Sequence, residues 1–229
     1  MKKIITLACI ILLGLTGCVN GNNVDSRSTG KEKGHGYVDL GLPSGIKWAS
    51  CNVGASSPED YGNYYAWGET TPKSFYSWET YKYAIDDYDN LTKYCTEVLR
   101  GNNGFTDHKV KLDPEDDAAH VNWGGTWRMP TFDEWGELYQ ECTWIWTMQN
   151  GVKGYIVTSK KNGNSIFLPA AGCRRGETLY SVGEYGGSWS SSLLEGYPSD
   201  AWGLCFLSGD QGRGSDGRYY GFAVRPVCQ

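Results

Sequence analysis

Glycine and the large aromatic residues place the first limit on this fold. The chain of 229 residues contains 31 Gly, 10 Trp and 16 Tyr. Glycine serves tight turns and weakens helix interiors, whereas Trp and Tyr suit pleated, half-buried surfaces. The mixture implies many short aromatic strands joined by tight turns and argues against a helix bundle. Hydrophobic residues make up 40% and charged residues 21%, so a packed core is expected and wholesale disorder is not. At roughly 150 residues per domain, the length allows one large domain or two small ones. The net charge is -5 and basic residues are not clustered, so nucleic acid is not an expected partner.

The first residues read as an address. Lys2 and Lys3 precede the apolar run from Ile4 to Leu15, which is too short to span a bilayer. The run closes on Leu15-Thr16-Gly17-Cys18, and small residues before a Cys resemble the lipobox of bacterial lipoproteins. That resemblance implies a signal peptide over 1-17, cleavage before Cys18 and lipidation of its sulfur, with several acyl chains giving stable membrane anchoring. Val19 follows Cys18 where an inner-membrane retention signal has Asp, which favours the outer membrane. The side faced, periplasm or medium, stays open. Residues 18-36 are polar, with almost no apolar residue after Val19, and read as a flexible tether.

Beyond the tether, Tyr37-Val38-Asp39-Leu40 and Ile46-Lys47-Trp48-Ala49 flank a Gly-Leu-Pro-Ser-Gly turn and predict a hairpin. Tyr64 to Trp67 reads as another aromatic strand. Residues 70-111 are polar and aromatic without clean periodicity and read as a long ordered insertion. Asp113, with Pro114 at the first helical position, predicts a helix running to about His120. Thr131 and Glu134 form a capping box for a helix from Phe132 to about Cys142, near which Arg128 is expected to pair with an acid. Tyr155 to Ser159 and Ser165 to Leu168 alternate around Asn162-Gly163 and predict a hairpin. Trp202 to Leu207 and Gly221 to Val227 read as late strands, with 208-220 as a polar, Gly-rich connection. The sum is one α+β domain over 37-229, with two main helices, many short strands and long loops. Apart from Cys9 and Cys18, six Cys remain. Between zero and two disulfides are expected, and no Cys/His pair has zinc spacing.

Several stretches, in order, carry a family signal. Trp127-Arg128-Met129-Pro130-Thr131 with Glu134-Trp135, Gly186-Gly187-Ser188-Trp189 and Gly221-Phe222-Ala223-Val224-Arg225 resemble segments of formylglycine-generating-enzyme-like domains. The closer resemblance is to the Fibrobacter succinogenes major paralogous domain proteins, abundant as lipoproteins in Bacteroidetes. It rests on residues 37-45, Trp48-Ala49, Cys51-Asn52-Val53-Gly54, residues 66-70, residues 167-172, Trp189-Ser190-Ser191-Ser192 and Val224-Arg225-Pro226-Val227. The resemblance covers nearly all of 37-229. It implies a C-type-lectin-like fold in which the N- and C-terminal strands meet and loops project from one side.

Formylglycine chemistry needs a closely spaced pair of late thiols to hold copper. Here Cys205 and Cys228 stand 23 residues apart in the C-terminal region, so that activity is not expected. His35, His108 and His120 build no familiar catalytic motif, and no cofactor is expected. Asp113, Glu115, Asp116 and Asp117 read as acids at a helix N-terminus rather than a cation site. Residues 86-90 read as a solvated turn, since they lack the Gly and distal Glu of an EF-hand loop. The calcium and sugar tripeptides of true lectins are absent.

A binding surface remains. Tyr180, Trp189, Asp200, Trp202, Arg218, Tyr219 and Tyr220 lie in a segment where aromatic and charged residues interleave, and Tyr, Trp and Arg give large contact area at low entropic cost. These seven are the expected ligand-binding residues, for a glycan or a protein. Trp189 and Trp202 read equally well as core residues of late strands. The leading expectation is a lipid-anchored recognition module of the cell envelope without catalysis. An enzyme with an unrecognised site and a structural subunit of a surface assembly are the alternatives.

Overall fold

A computed structural model describes residues 29-229. The expected signal peptide, Cys18 and the expected tether up to residue 28 lie outside the described residues. Within them, the chain is mixed α+β and mostly β, with two α-helices and twelve strands in several small sheets.

The first sheet joins both ends of the described chain. Strands β1 (Gly30–Glu32), β2 (His35–Val38) and β3 (Lys47–Ala49) pair antiparallel, and β12 (Val227–Cys228) completes the order β1-β2-β3-β12. Strand β1 corrects the expected tether, because residues 30-36 are part of the fold. Two contacts hold them there. The His35 ring stacks on Trp123 at 3.9 Å, and Trp127 Nε1 donates to the Glu32 carbonyl at 2.8 Å. Helix α1 (Ala118–Trp123), which carries Trp123, starts later than the sequence predicts. Residues Pro114–Asp116 form a single 3-10 turn. Asp117, in extended conformation, is the true cap and accepts from the amides of Ala119 and His120 at 2.9 and 3.0 Å. Helix α2 (Phe132–Glu141) starts as expected, with the Thr131–Glu134 capping box in place. Arg128 pairs with Glu134 at 2.5 Å.

Strands β4 (Cys142–Gln149), β5 (Val152–Ser159) and β6 (Ser165–Pro169) form an antiparallel meander. The β5–β6 hairpin is the one expected around Asn162-Gly163. A tighter hairpin joins β4 to β5 through Asn150-Gly151. Both of these residues have positive φ, 48° and 85°, as a two-residue type I′ turn requires. The small ribbon of β7 (Cys173–Arg175) and β8 (Thr178–Tyr180) follows.

The late sheet, β11-β10-β9, is built from β9 (Tyr185–Leu193), β10 (Asp200–Leu207) and β11 (Asp210–Gly217). Strand β11 replaces the loop expected over 208-220. Its Gly-rich sequence hides the strand from propensity, but Ser208-Gly209 closes the hairpin and every residue from Asp210 to Gly217 pairs with β10. Conversely, Tyr64 to Trp67 and residues 221-226 do not form regular strands. Single bridges tie Tyr65 to Phe222, Ser188 to Ala223 and Arg174 to Gly221, so this stretch stitches several sheets instead of extending one.

Two large cores result. Trp67, Tyr94, Trp189 and Phe222 sit in one, and Trp48, Trp135, Tyr155, Ile166 and Phe206 in the other. Arg225, fully buried, locks their boundary by donating to Asn52 Oδ1, the Ala49 carbonyl and the Phe167 carbonyl at 2.8–2.9 Å. Burial without a carboxylate partner lowers its guanidinium to about 10. The six described Cys are all free thiols. Among the described residues, no helix is long and apolar enough to cross a membrane.

Candidate functional site: a cleft on the late sheet

Side chains alternate across the late sheet, and the two faces are built differently. Phe206 packs on Tyr155 and Trp146 of the meander at 5.5 and 6.3 Å. Trp202 stacks on Phe132 at the start of α2 at 4.4 Å, and Arg213 covers the same ring at 3.9 Å. The opposite face carries Cys205 on β10, with Gly212, Gly214 and Asp216 on β11. Gly203 pairs with Gly214, and Cys205 with Gly212. A Cβ on Gly214 would stand 3.2 Å from the Cys205 sulfur. Glycine at alternate positions of β11 therefore leaves a hollow where side chains would otherwise fill the face.

The hollow opens into two adjoining cavities of about 590 and 350 Å³ that share Ser215 and Asp216, within the size range of small-ligand sites. The inner lobe is lined by Cys173, Arg175, Tyr180, Tyr185, Cys205 and Phe222, among others. The outer lobe is lined by Trp78, Tyr88, Ser199, Asp200, Gly217, Tyr219 and Tyr220 together with the shared pair.

The polar groups of the cleft are poorly solvated. Tyr185 donates its hydroxyl to the Cys205 sulfur at 2.9 Å, and an Asp216 oxygen lies 3.8 Å from the same sulfur. Burial pushes the Cys205 thiol up to about 12 and raises Cys173, Tyr185, Asp200 and Asp216 above their ordinary values. Arg175 opposes that rise at Asp216 and stacks over Tyr220 at 4.1 Å. A thiol held this high is protonated at neutral pH and is a poor nucleophile.

Of the seven expected binding residues, four line the cleft: Tyr180, Asp200, Tyr219 and Tyr220. Trp202 lines neither lobe, because its ring is committed to Phe132. Trp189 is a core residue with no exposed surface. Its indole donates to the Tyr65 carbonyl at 2.8 Å and stacks on Phe222 at 4.6 Å. Arg218 is also fully buried. It donates to the Tyr81 hydroxyl and to the carbonyls of Tyr94, Pro198 and Lys93 at 2.8–3.0 Å, beside the rings of Trp67 and Tyr81. It builds the wall behind Tyr219 and is not a ligand contact.

The cleft also takes Trp78 and Tyr88 from the insertion and Cys173 and Arg175 from β7, none of them expected from sequence. Nothing local ties them to the late strands. For Trp78 and Tyr88 the one available signal is residue type, which 10 Trp and 16 Tyr make uninformative.

The acidic cluster at 113-116 is organised around a lysine. Lys93 Nζ lies 2.8, 3.8 and 2.5 Å from carboxylate oxygens of Asp113, Glu115 and Asp116, so an ammonium group already sits among the acids. Comparison with family models, with curated proteins and with solved structures gives no match for this chain.

Proposed function

We propose that this chain is a lipid-anchored recognition module of the cell envelope that binds a glycan, without catalysis, in the cleft on its late sheet. The observation that carries the reading is the two-lobed hollow, with Gly214 and Gly217 in its walls, lined by Tyr180, Tyr185, Tyr219, Tyr220, Asp200 and Asp216. Aromatic rings cover the apolar faces of sugars, and half-buried carboxyls accept from their hydroxyls. A concave polar-aromatic groove suits a sugar better than a protein partner, which favours a broad patch with an apolar centre. The pairing of β3 with β12 and the long loops on the cleft side support a C-type-lectin-like arrangement. The raised thiols support the non-catalytic reading. The lipobox-like run ending at Cys18 supports the anchoring, and Val19 in place of Asp favours the outer membrane.

A glycan array probed with the purified chain tests the binding reading. Binding to an oligosaccharide, weakened about tenfold or more by Tyr220→Ala in a variant that thermal melting shows to be folded, is the expected result. Turnover of a small-molecule substrate, lost on Asp216→Asn, would overturn it. The anchor is tested by metabolic palmitate labelling, which Cys18→Ser should abolish.

A further inference from the structure

We propose that the outer lobe of the cleft receives an organic ammonium group, so that the glycan bound here is an amino sugar with a free amine. This inference rests on the glycan reading above and adds the chemistry of its ligand. The outer lobe combines the rings of Trp78, Tyr88, Tyr219 and Tyr220 with two carboxyls, Asp200 and Asp216, and no basic residue lines it. Neither carboxyl has an ion-pair partner within 4.0 Å among the described residues. Asp200 accepts from the Ser199 hydroxyl at 3.2 Å, and Asp216 faces the neutral Tyr185 hydroxyl and the Cys205 thiol, the latter at 3.8 Å.

The neighbouring guanidiniums sit on rings of the lobe and outside ion-pair distance of either carboxyl. Arg175 stacks over Tyr220 at 4.1 Å and Arg100 over Tyr88 at 4.8 Å. Two of the four rings thus already act as cation acceptors. A neutral hexose would leave both half-buried carboxyls with no cation nearer than the guanidiniums of Arg175 and Arg100, which favour their charged forms from beyond ion-pair distance. An ammonium supplies a nearer one, donates hydrogen bonds to them and gains from the surrounding rings, and all three effects strengthen as water is excluded. Burial raises both carboxyls, as it should for acids that lack such a partner. The volume of about 350 Å³ limits the lobe to a small group and excludes a folded partner from entering it.

The test is isothermal titration of the full-length protein in detergent micelles with two probes. One is a β-1,4-linked glucosamine tetramer with its amines protonated, and the other is the same tetramer fully N-acetylated. The expected result is binding of the free-amine tetramer at least about tenfold tighter than its acetylated counterpart. Asp200→Asn and Asp216→Asn, isosteric and checked by thermal melting, should each bring that ratio toward one. Equal affinity for the two tetramers overturns the ammonium inference and leaves the glycan reading standing. Binding of neither at millimolar concentration overturns both. A lysine-bearing peptide that binds where the glucosamine tetramer does not overturns the amino-sugar assignment.

Discussion

The meander of β4–β6 and the insertion over 70-111 are both ordered, and by different means. The meander rests on backbone ladders, with eight residue pairs between β4 and β5 and five between β5 and β6. Its inward side chains Tyr155, Val157, Ile166 and Leu168 fill one core. The insertion has 3-10 turns and isolated bridges, at Ala84–Leu91 and Leu91–Gly101 within it and at Tyr76–Gly176 and Lys111–Ser192 out of it, but no ladder. Between those bridges it is held by buried side-chain polar atoms. The hydroxyls of Tyr76 and Tyr81 donate to the carbonyls of Tyr64 and Trp67, both at 2.7 Å. Those of Tyr83 and Tyr94 converge on Asp116, which Lys93 and Lys82 also reach. Arg218 closes the network from the other side. The difference teaches where tolerance lies. A ladder survives apolar swaps that keep volume, whereas a buried polar atom that loses its partner costs its full desolvation.

Arg218→Ala should show the largest effect. It empties a fully buried site, leaves the carbonyls of Tyr94, Pro198 and Lys93 without their Arg218 donors and removes one of the two bonds of the Tyr81 hydroxyl, for a loss of about 4 kcal/mol. Arg218→Lys should recover little, because an ammonium cannot reproduce the guanidinium fork. A small shift in the melting midpoint for Arg218→Ala would break the comparison by showing that the insertion does not depend on its polar hub.

Ile166→Ala, in the meander, should cost about 3 kcal/mol from lost burial and a residual cavity. Ile166→Val should cost about 1 kcal/mol, and the contrast between these two substitutions, read by urea denaturation, measures how forgiving the ladder is.

Asp116 sharpens the comparison through pH. Burial pushes its carboxyl up, but hydrogen bonds from Lys93, Tyr83, Tyr94 and Lys82 outweigh that push and hold it at about 2, below its ordinary 3.8. A carboxyl lowered on folding stabilises above its unfolded value, and that stability is lost as pH falls through the folded one. The hub should therefore contribute about 2 kcal/mol at neutral pH that disappears between about pH 4 and 2. Asp116→Asn should remove most of this step. Hydrogen exchange should report the loss of protection first over 70-111 and not over β4–β6. Equal loss in both regions would refute separate modes of ordering.

Thr131→Ala should give the smallest change, about 1 kcal/mol from loss of the α2 cap. Since that cap lies in neither region, its effect on hydrogen exchange should be spread evenly.

The features readable in advance were those whose physics is local. The Thr131–Glu134 box joins residues three apart, Arg128 finds Glu134 within two turns of chain, and Tyr155 to Ser159 declares itself by alternation. The insertion was recognisable as aperiodic, and part of the cleft was visible as the aromatic-acid segment ending at Tyr220. Local signals also misled. Asp113 before Pro114 has the form of a cap, but Asp117 wins the amides of Ala119 and His120. Glycines at 212, 214 and 217 resemble a loop, yet pairing with β10 makes them a strand. Only the tertiary structure could divide Trp189 and Arg218, both buried, from Tyr219 and Tyr220, which line the cleft. Arg218 is satisfied by acceptors 20 to 137 residues away in the chain. Burial of a charge depends on whether such distant acceptors arrive, and a sequence window carries no information about that. The cleft follows the same rule, since Trp78 and Arg175 reach Tyr219 and Tyr220 only when the insertion and β7 fold against the late sheet.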